Sequence, residues 1–289
     1  MKGPFVRVHV AAVWLLLLAV SSGFAQLPAP QLPVLRLPRI SQGARITQVI
    51  GLSEVTIQYH RPGVKGRDVW HTIQPYDSIW RTGANEPTLF TFSDPVTIEG
   101  KTLPAGTYRF LTIPGKTEWT LIFNSEIKNW GTVYEPKYDT LKVKIKAEEG
   151  PLEEWMSFSF TDLTNSSAKV VLAWEKVRVG FKVEYNTLAK MQTSVGTWQV
   201  LNSAARYALT EKVYPNEASE WIDRSIDMNK NQNNLRTKAE LLAQAGKTSE
   251  AIAAAEEALS VGKAKDPKFE GSQFAKDVKN LIATWKGKK

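Results

Sequence analysis

The feature that most constrains the fold is a change in hydrophobic period near residue 185. In residues 45–185, apolar side chains recur at every second position within short runs, as Val55, Ile57 and Tyr59 do. This pattern is typical of strands that bury one face. After residue 185 the apolar spacing becomes that of amphipathic helices. The sequence therefore predicts an all-β antiparallel sandwich, jelly-roll-like, followed by an all-α tail.

The β-sandwich domain is predicted to span residues 41–185. Turn signals such as Pro104-Ala105-Gly106 and Pro114-Gly115 separate its apolar runs. They divide the region into about nine to eleven short strands, whose close spacing favours antiparallel pairing. Six of the ten tryptophans lie here and would fill the core.

The tail, residues 186–289, is predicted to contain tetratricopeptide-like helical hairpins. Two sets of mostly small residues repeat at an offset of 33: Ala218, Ile222 and Ser225, then Ala251, Ala255 and Ala258. A period near 34 with small residues at close helix contacts is typical of such hairpins. Two repeats fall below the three or so needed for independent stability, so the tail should pack on the β domain or on a partner. A generic helical bundle is the alternative.

The first 25 residues are predicted to be a signal peptide, and residues 26–40 a proline-rich linker. Lys2 and Arg7 precede an apolar run over residues 10–20, and Gly23 and Ala25 match a cleavage site. The run is shorter than the roughly 20 residues that span a bilayer. No stable membrane span is therefore expected after cleavage, with a retained anchor as the alternative. An exported chain without cysteine fits the bacterial periplasm or exterior best.

Composition and charge exclude several kinds of site. The absence of cysteine rules out disulfides, cysteine nucleophiles and thiolate metal sites. The net charge of +8 is spread along the chain, whereas a nucleic-acid binder concentrates its cations, so no nucleic-acid partner is expected. His60, His71, Asp77 and Glu86 have no known metal-ligand spacing. We therefore predict no metal and no cofactor.

The candidate ligand site lies in the long connection between the strands that end near His60 and begin near Thr88. Connections of this length without periodicity are uncommon in compact domains and are often functional. Its guanidinium groups suit carboxylates and phosphates, its glycines let backbone amides approach a ligand, and its indoles could stack on a ring. The candidate ligand-binding residues are His60, Arg61, Lys65, Arg67, Trp80, Arg81, Asn85 and Glu86.

Three classes of function remain open from the residues alone. The first is a non-enzymatic binding module that holds an anionic or sugar-like ligand, with a tail that contacts a protein partner. The second is a hydrolase or isomerase that uses Glu86 as base and Arg81 as anchor, with His60 as acid. The third is a purely structural envelope-associated protein whose connection only covers the end of the sandwich. We assign no catalytic residue and favour the first class.

Four ordered motifs resemble domain-of-unknown-function family 2911, a family of secreted bacterial proteins. They are RPGVKGR (61–67), WRTGANE (80–86), LPAGTY (103–108) and WTLIFN (119–124). The segments WQVLN (198–202) and NLRTKA (234–239) are similar to a helical tail that some members carry. The resemblance implies the compartment and the limits of the β domain. It implies no activity, because none is assigned to the family.

Overall fold

The computed structural model describes residues 37–129, 131, 133–193 and 196–287. The predicted signal peptide, and all of the predicted linker before residue 37, lie outside these residues. Within the described residues, nine strands form the β domain, which agrees with the nine to eleven short strands that the alternating runs predict. Their bounds are β1 (Gln42–Ile50), β2 (Ser53–Arg61), β3 (Leu89–Phe92), β4 (Val96–Ile98), β5 (Lys101–Leu103), β6 (Gly106–Ile113), β7 (Glu118–Asn124), β8 (Asp139–Thr161) and β9 (Ser167–Tyr185).

All strand pairs are antiparallel, in the order β1-β2-β3-β6-β7-β8-β9-β4-β5. The long strand β8 joins two layers, because residues 139–146 pair with β7 whereas residues 147–161 pair with β9. Register shifts between Glu149 and Ser157 mark the bend, and such bulges strengthen the twist of a strand. The sheet thus folds over on itself as a sandwich.

One apolar core fills the space between the two layers. Phe90 of one layer contacts Phe158 of the other with ring centroids 5.6 Å apart, and Phe110 contacts Phe181 at 5.9 Å. These rings are almost fully buried, so each contributes roughly 2–3 kcal/mol of hydrophobic stabilisation. Beyond the end of β2, Gly63 pairs with Trp155 of β8, which brings the two layers together at the end of the sandwich.

In the part of the tail that the structure describes, six α-helices follow the β domain. They are α1 (Thr187–Thr193), α2 (Trp198–Glu211), α3 (Pro215–Met228), α4 (Gln232–Gln244), α5 (Thr248–Lys265) and α6 (Gln273–Lys286). The small residues that repeat at an offset of 33 are all buried, Ala218 and Ser225 on α3 and Ala251, Ala255 and Ala258 on α5. The predicted fold class, an antiparallel β domain followed by a helical tail, is confirmed. The assignment of the tail to tetratricopeptide repeats stays a prediction.

The tail contacts the β domain through α1 and α2. Lys190 of α1 donates hydrogen bonds to the Asp94 carboxylate at 2.6 Å and to the Leu52 carbonyl at 2.8 Å. Asn165, in the turn between β8 and β9, donates to Glu211 of α2 at 3.1 Å. These polar contacts set the direction in which the helices leave the sandwich. No helix in the described ranges is long and apolar enough to cross a membrane.

Candidate functional site

The connection between β2 and β3 is anchored in the core by its two tryptophans. Trp80 stacks on Trp174 with ring centroids 5.3 Å apart, and Trp70 meets Trp119 edge to face at 5.3 Å. Trp80 also exchanges two backbone hydrogen bonds with Thr112 of β6, at 2.7 and 2.9 Å. Apolar burial and backbone pairing therefore hold the connection against the end of the sandwich, although it contains no regular strand.

This connection forms most of a cleft of about 470 Å³. The cleft is lined by residues from segments 40–41, 62–67, 73–74 and 80–85, together with Trp174. Three of the lining side chains, Lys65, Arg67 and Arg81, are cationic, and within the described ranges no lining residue is acidic. The Glu154 carboxylate lies beside this lining, where it accepts a hydrogen bond from the Lys65 backbone N–H at 2.9 Å, but the lining itself is positive. A concave surface with an excess of positive charge attracts anions. A volume of this size accommodates a small organic molecule.

The arginines are oriented by main-chain carbonyl groups. Arg67 donates to the carbonyls of Val64 at 3.1 Å and Gly63 at 2.6 Å. Arg81 donates through Nη1 to the Asn85 carbonyl at 2.9 Å. Among the described residues, neither side chain forms an ion pair. Both guanidinium groups are therefore positioned at the cleft while their charge stays available to a ligand.

The turn that carries Arg81 has a constrained backbone. Thr82 has a φ of 55° and Asn85 a φ of 56°, a left-handed conformation that is unusual for a β-branched residue such as threonine. Thr82 is fully buried and its hydroxyl donates to Thr112 at 3.0 Å, while Thr88 donates to the Thr82 carbonyl at 2.6 Å. Strained backbone of this kind concentrates at ligand sites, where it holds groups in place before binding.

His60 and Glu86 belong to a different cluster. Arg39 donates to both Glu86 carboxylate oxygens at 2.6 Å, and His60 Nε2 lies 3.1 Å from Glu86 Oε2. The hydrogen bond from Arg39, with the charges of His60 and Arg39, holds the pKa of Glu86 below its ordinary value. Neither His60 nor Glu86 lines the cleft that Arg81 lines. Of the three side chains proposed for a hydrolase or isomerase, only Arg81 lines this cleft.

Of the eight predicted ligand residues, five line the cleft and three do not. The five are Lys65, Arg67, Trp80, Arg81 and Asn85. Arg61 instead donates to the carbonyls of Met156 at 2.8 Å and Trp155 at 3.3 Å, where it links β2 to β8. His60 and Glu86 form the separate cluster with Arg39. The composition of the sequence motifs therefore identifies several residues of the cleft, but it also includes residues that lie elsewhere.

Sequence reasoning missed the parts of the cleft that come from distant segments. Trp174 lies on β9, and Ile40 and Ser41 precede β1. Asn85 donates to the Ser41 carbonyl at 2.8 Å and so attaches that segment to the cleft wall. No local signal marks these positions. The apolar alternation around Trp174 predicts only a buried strand residue, and Trp174 is indeed buried.

The described residues hold no group of three or more histidine, cysteine or acidic side chains arranged for a metal ion. What the fold and the cleft define is an antiparallel sandwich with a cation-lined cleft at one end and a helical tail. Residues 41–183 match the family described as protein of unknown function (DUF2911). The β domain therefore matches this family, which confirms the resemblance seen in the motifs. No curated protein and no solved structure gives a significant match.

Proposed function

We propose that this is an exported, periplasmic or extracellular, non-enzymatic binding protein whose sandwich holds a small anionic ligand in the cleft. The observation that carries the proposal is the lining itself: Lys65, Arg67 and Arg81 surround a cavity of about 470 Å³ to which the described chain contributes no acidic side chain. Charge-assisted hydrogen bonds from guanidinium groups are among the stronger polar contacts in proteins. A neutral ligand would leave this positive charge without a counterpart.

The aromatic residues support an anion more than a neutral sugar. Trp80 is 5% exposed and Trp174 is 1% exposed, because their rings stack on each other. A sugar that stacks on an indole needs an open ring face. The indoles therefore form the floor of the cleft, and the arginines supply the specific contacts. A sugar ligand would be recognised through an acidic substituent.

The test is a binding titration by calorimetry with an anion panel: inorganic phosphate, sulfate and glucuronate, with glucose as the neutral counterpart of glucuronate. Arg67→Ala and Arg81→Ala should each weaken anion binding about 10- to 100-fold, the loss expected for a hydrogen bond to a charged group. Their melting temperatures should stay within a few degrees of the parent, because both side chains bond only nearby carbonyls.

The matched control is Arg224→Ala, which removes the same charge from an exposed position on α3. It should leave anion binding unchanged. Equal weakening by Arg224→Ala would show that the net charge, not the cleft, attracts the anion. Loss of folding in both cleft variants would instead give the arginines a structural role.

The helical tail is proposed to contact a protein partner. Between α2, α3 and α4 lies a groove of about 310 Å³, with apolar residues such as Ile222 and Leu241 and three lysines, Lys212, Lys238 and Lys247. Apolar area with a basic rim suits an acidic, partly apolar segment. Charge reversal of the exposed pair Lys212 and Lys247 to glutamate should reduce partner capture in a crosslinking assay, and unchanged capture would contradict this surface.

A further inference from the structure

The turn that carries Arg81 lines the cleft and contains backbone donors that have no partner in the described chain. The main-chain N–H groups of Gly83, Ala84 and Asn85 donate no hydrogen bond to any described residue, and all three residues line the cleft. Backbone N–H groups in folded proteins are nearly always paired with protein or with solvent. Three consecutive donors at the cleft are therefore free to bind solvent or a ligand.

The Arg81 guanidinium lies beside these three amides. Its Nη1 donates to the carbonyl of Asn85 at 2.9 Å, so the side chain folds back over the turn from which it starts. Nε and Nη2 donate to no atom of the described chain. One short segment therefore combines three free amide donors with the two remaining donor groups of a guanidinium.

The segment is fixed before any ligand arrives. Thr82 and Thr88 hold its start through hydrogen bonds at 3.0 and 2.6 Å, and the Asn85 side chain holds its end through the Ser41 carbonyl at 2.8 Å. Donors that need no reorganisation bind an anion at lower entropic cost. Concave runs of successive main-chain N–H groups are a recurrent way to bind phosphate.

A second arginine increases the positive potential behind the turn. Arg109 of β6 is 1% exposed and donates to the carbonyls of Val133, at 2.7 Å, and Gly131. Burial first, and the nearby charge of Arg81 second, lower the pKa of Arg109. The charge of Glu126 acts in the opposite direction on Arg109, so Arg109 adds to the positive potential near Arg81 only in part.

We propose that residues 81–85 form a subsite for a tetrahedral oxyanion, the phosphate or sulfate group of the ligand. This rests on the proposed function, because it assigns one part of the same cleft. Three amide donors and a guanidinium exceed what the two oxygens of a carboxylate can accept in one plane, whereas a tetrahedral group presents three oxygens to different sides. Arg67 and Lys65 then face the remainder of the ligand.

The experiment follows the backbone amides of the ¹⁵N-labelled protein by NMR during separate titrations with inorganic phosphate, sulfate, acetate and glucuronate. Phosphate or sulfate should shift the amide signals of Gly83, Ala84 and Asn85 along one saturable curve, and acetate should shift them at least ten-fold less at equal concentration. Gly100 and Gly246, which lie in turns with positive φ and open surroundings, are the control amides and should not move.

A variant separates the side chain from the backbone. Arg81→Gln should weaken phosphate binding about ten-fold or more, yet the residual shifts should still be centred on residues 83–85, because the amides remain. The affinities for phosphate and for sulfate are also compared between pH 6 and 8. Only phosphate changes its charge in that range, so only its affinity should change with pH.

The outcomes discriminate between this inference and the proposed function. If glucuronate binds with dependence on Arg67 and Arg81 while phosphate and sulfate leave residues 83–85 unmoved, the oxyanion subsite is wrong and the anion cleft stands. If phosphate binds but shifts only amides outside residues 83–85, the oxyanion subsite is again wrong and the anion cleft stands. If none of the anions binds, both are wrong.

Discussion

At the scale of single residues, Gly83 is the position where the cleft turn tolerates least change. Its φ is +150°, and an added Cβ would lie 3.0 Å from both the His60 carbonyl oxygen and the Thr88 hydroxyl. Gly83→Ala is therefore expected to lower the free energy of unfolding by about 2–3 kcal/mol, from backbone strain together with steric contact. Urea denaturation followed by tryptophan fluorescence measures this loss.

Gly66→Ala is the matched control for Gly83. Gly66 also has a positive φ, +66°, but an added Cβ meets nothing within 4 Å. Gly66→Ala should lower the free energy of unfolding only by the penalty for a left-handed backbone, about 1 kcal/mol. Equal losses in the two variants would mean that the close contacts around Gly83 are not what fixes the turn.

The residue scale also shows what motif composition can predict. The cations and glycines of segment 61–86 indicate an anion site because their chemistry is local, and five of the eight named residues do line one cleft. Glu86 belongs to the same sequence motif as Arg81. Its actual partner, Arg39, is 47 positions away, and no local pattern could reveal a pairing that depends on where the chain enters β1.

At the scale of elements, one ion pair contributes to the docking of α1 on the β domain. Asp94 follows β3 and accepts a hydrogen bond from Lys190 at 2.6 Å. This bond first, together with hydrogen bonds from Ser93 and Ser53, lowers the pKa of Asp94 from 3.8 to about 2. A carboxylate with a lowered pKa in the folded state stabilises that state above its unfolded pKa. This contribution should therefore be complete above about pH 5 and decline as the pH falls through 4 towards 2.

Asp94→Asn should remove this pH-dependent contribution. We expect a loss of about 1 kcal/mol at pH 7, reduced for solvent screening because the carboxylate is 29% exposed. The difference between parent and variant should shrink as the pH approaches 2. Urea denaturation at pH 7, 4 and 2.5 is the measurement, and Asp227→Asn on the exposed face of α3 is the control. A pH-independent difference would show that the pair does not titrate as described.

The sequence predicts the presence of a strand more reliably than the residues at which the strand begins and ends. Apolar alternation identifies most strands because each has one wet face. Yet Gly150-Pro151, a turn signal in sequence, lies inside β8, where register shifts accommodate it. The cleft depends on this same bend, since Gly63, which lines the cleft, pairs with Trp155 inside it. A contact between residues so far apart in sequence leaves no periodic signature.

At the scale of the whole molecule, the β domain and the tail have separate apolar cores. The core of the sandwich consists of residues from 50 to 185, whereas the two tail clusters contain only residues beyond 187. The described contacts between the two parts include polar ones, such as those of Lys190 and Asn165. We therefore expect the β domain to fold without the tail, whereas the tail should depend on the β domain for its stability.

A chain that ends at residue 193 tests this division. It keeps α1 and its ion pair but removes the helical hairpins, and it retains every residue that lines the cleft. The near-ultraviolet circular dichroism of the tryptophan cluster and the affinity for phosphate should match those of the full chain. Residues 196–287 alone, with two hairpins and a last helix, should be only marginally helical, because short arrays lack neighbours on which to pack. A truncated sandwich that loses its tryptophan signal, or an isolated tail that unfolds cooperatively, would show that the tail and the cleft are energetically one unit.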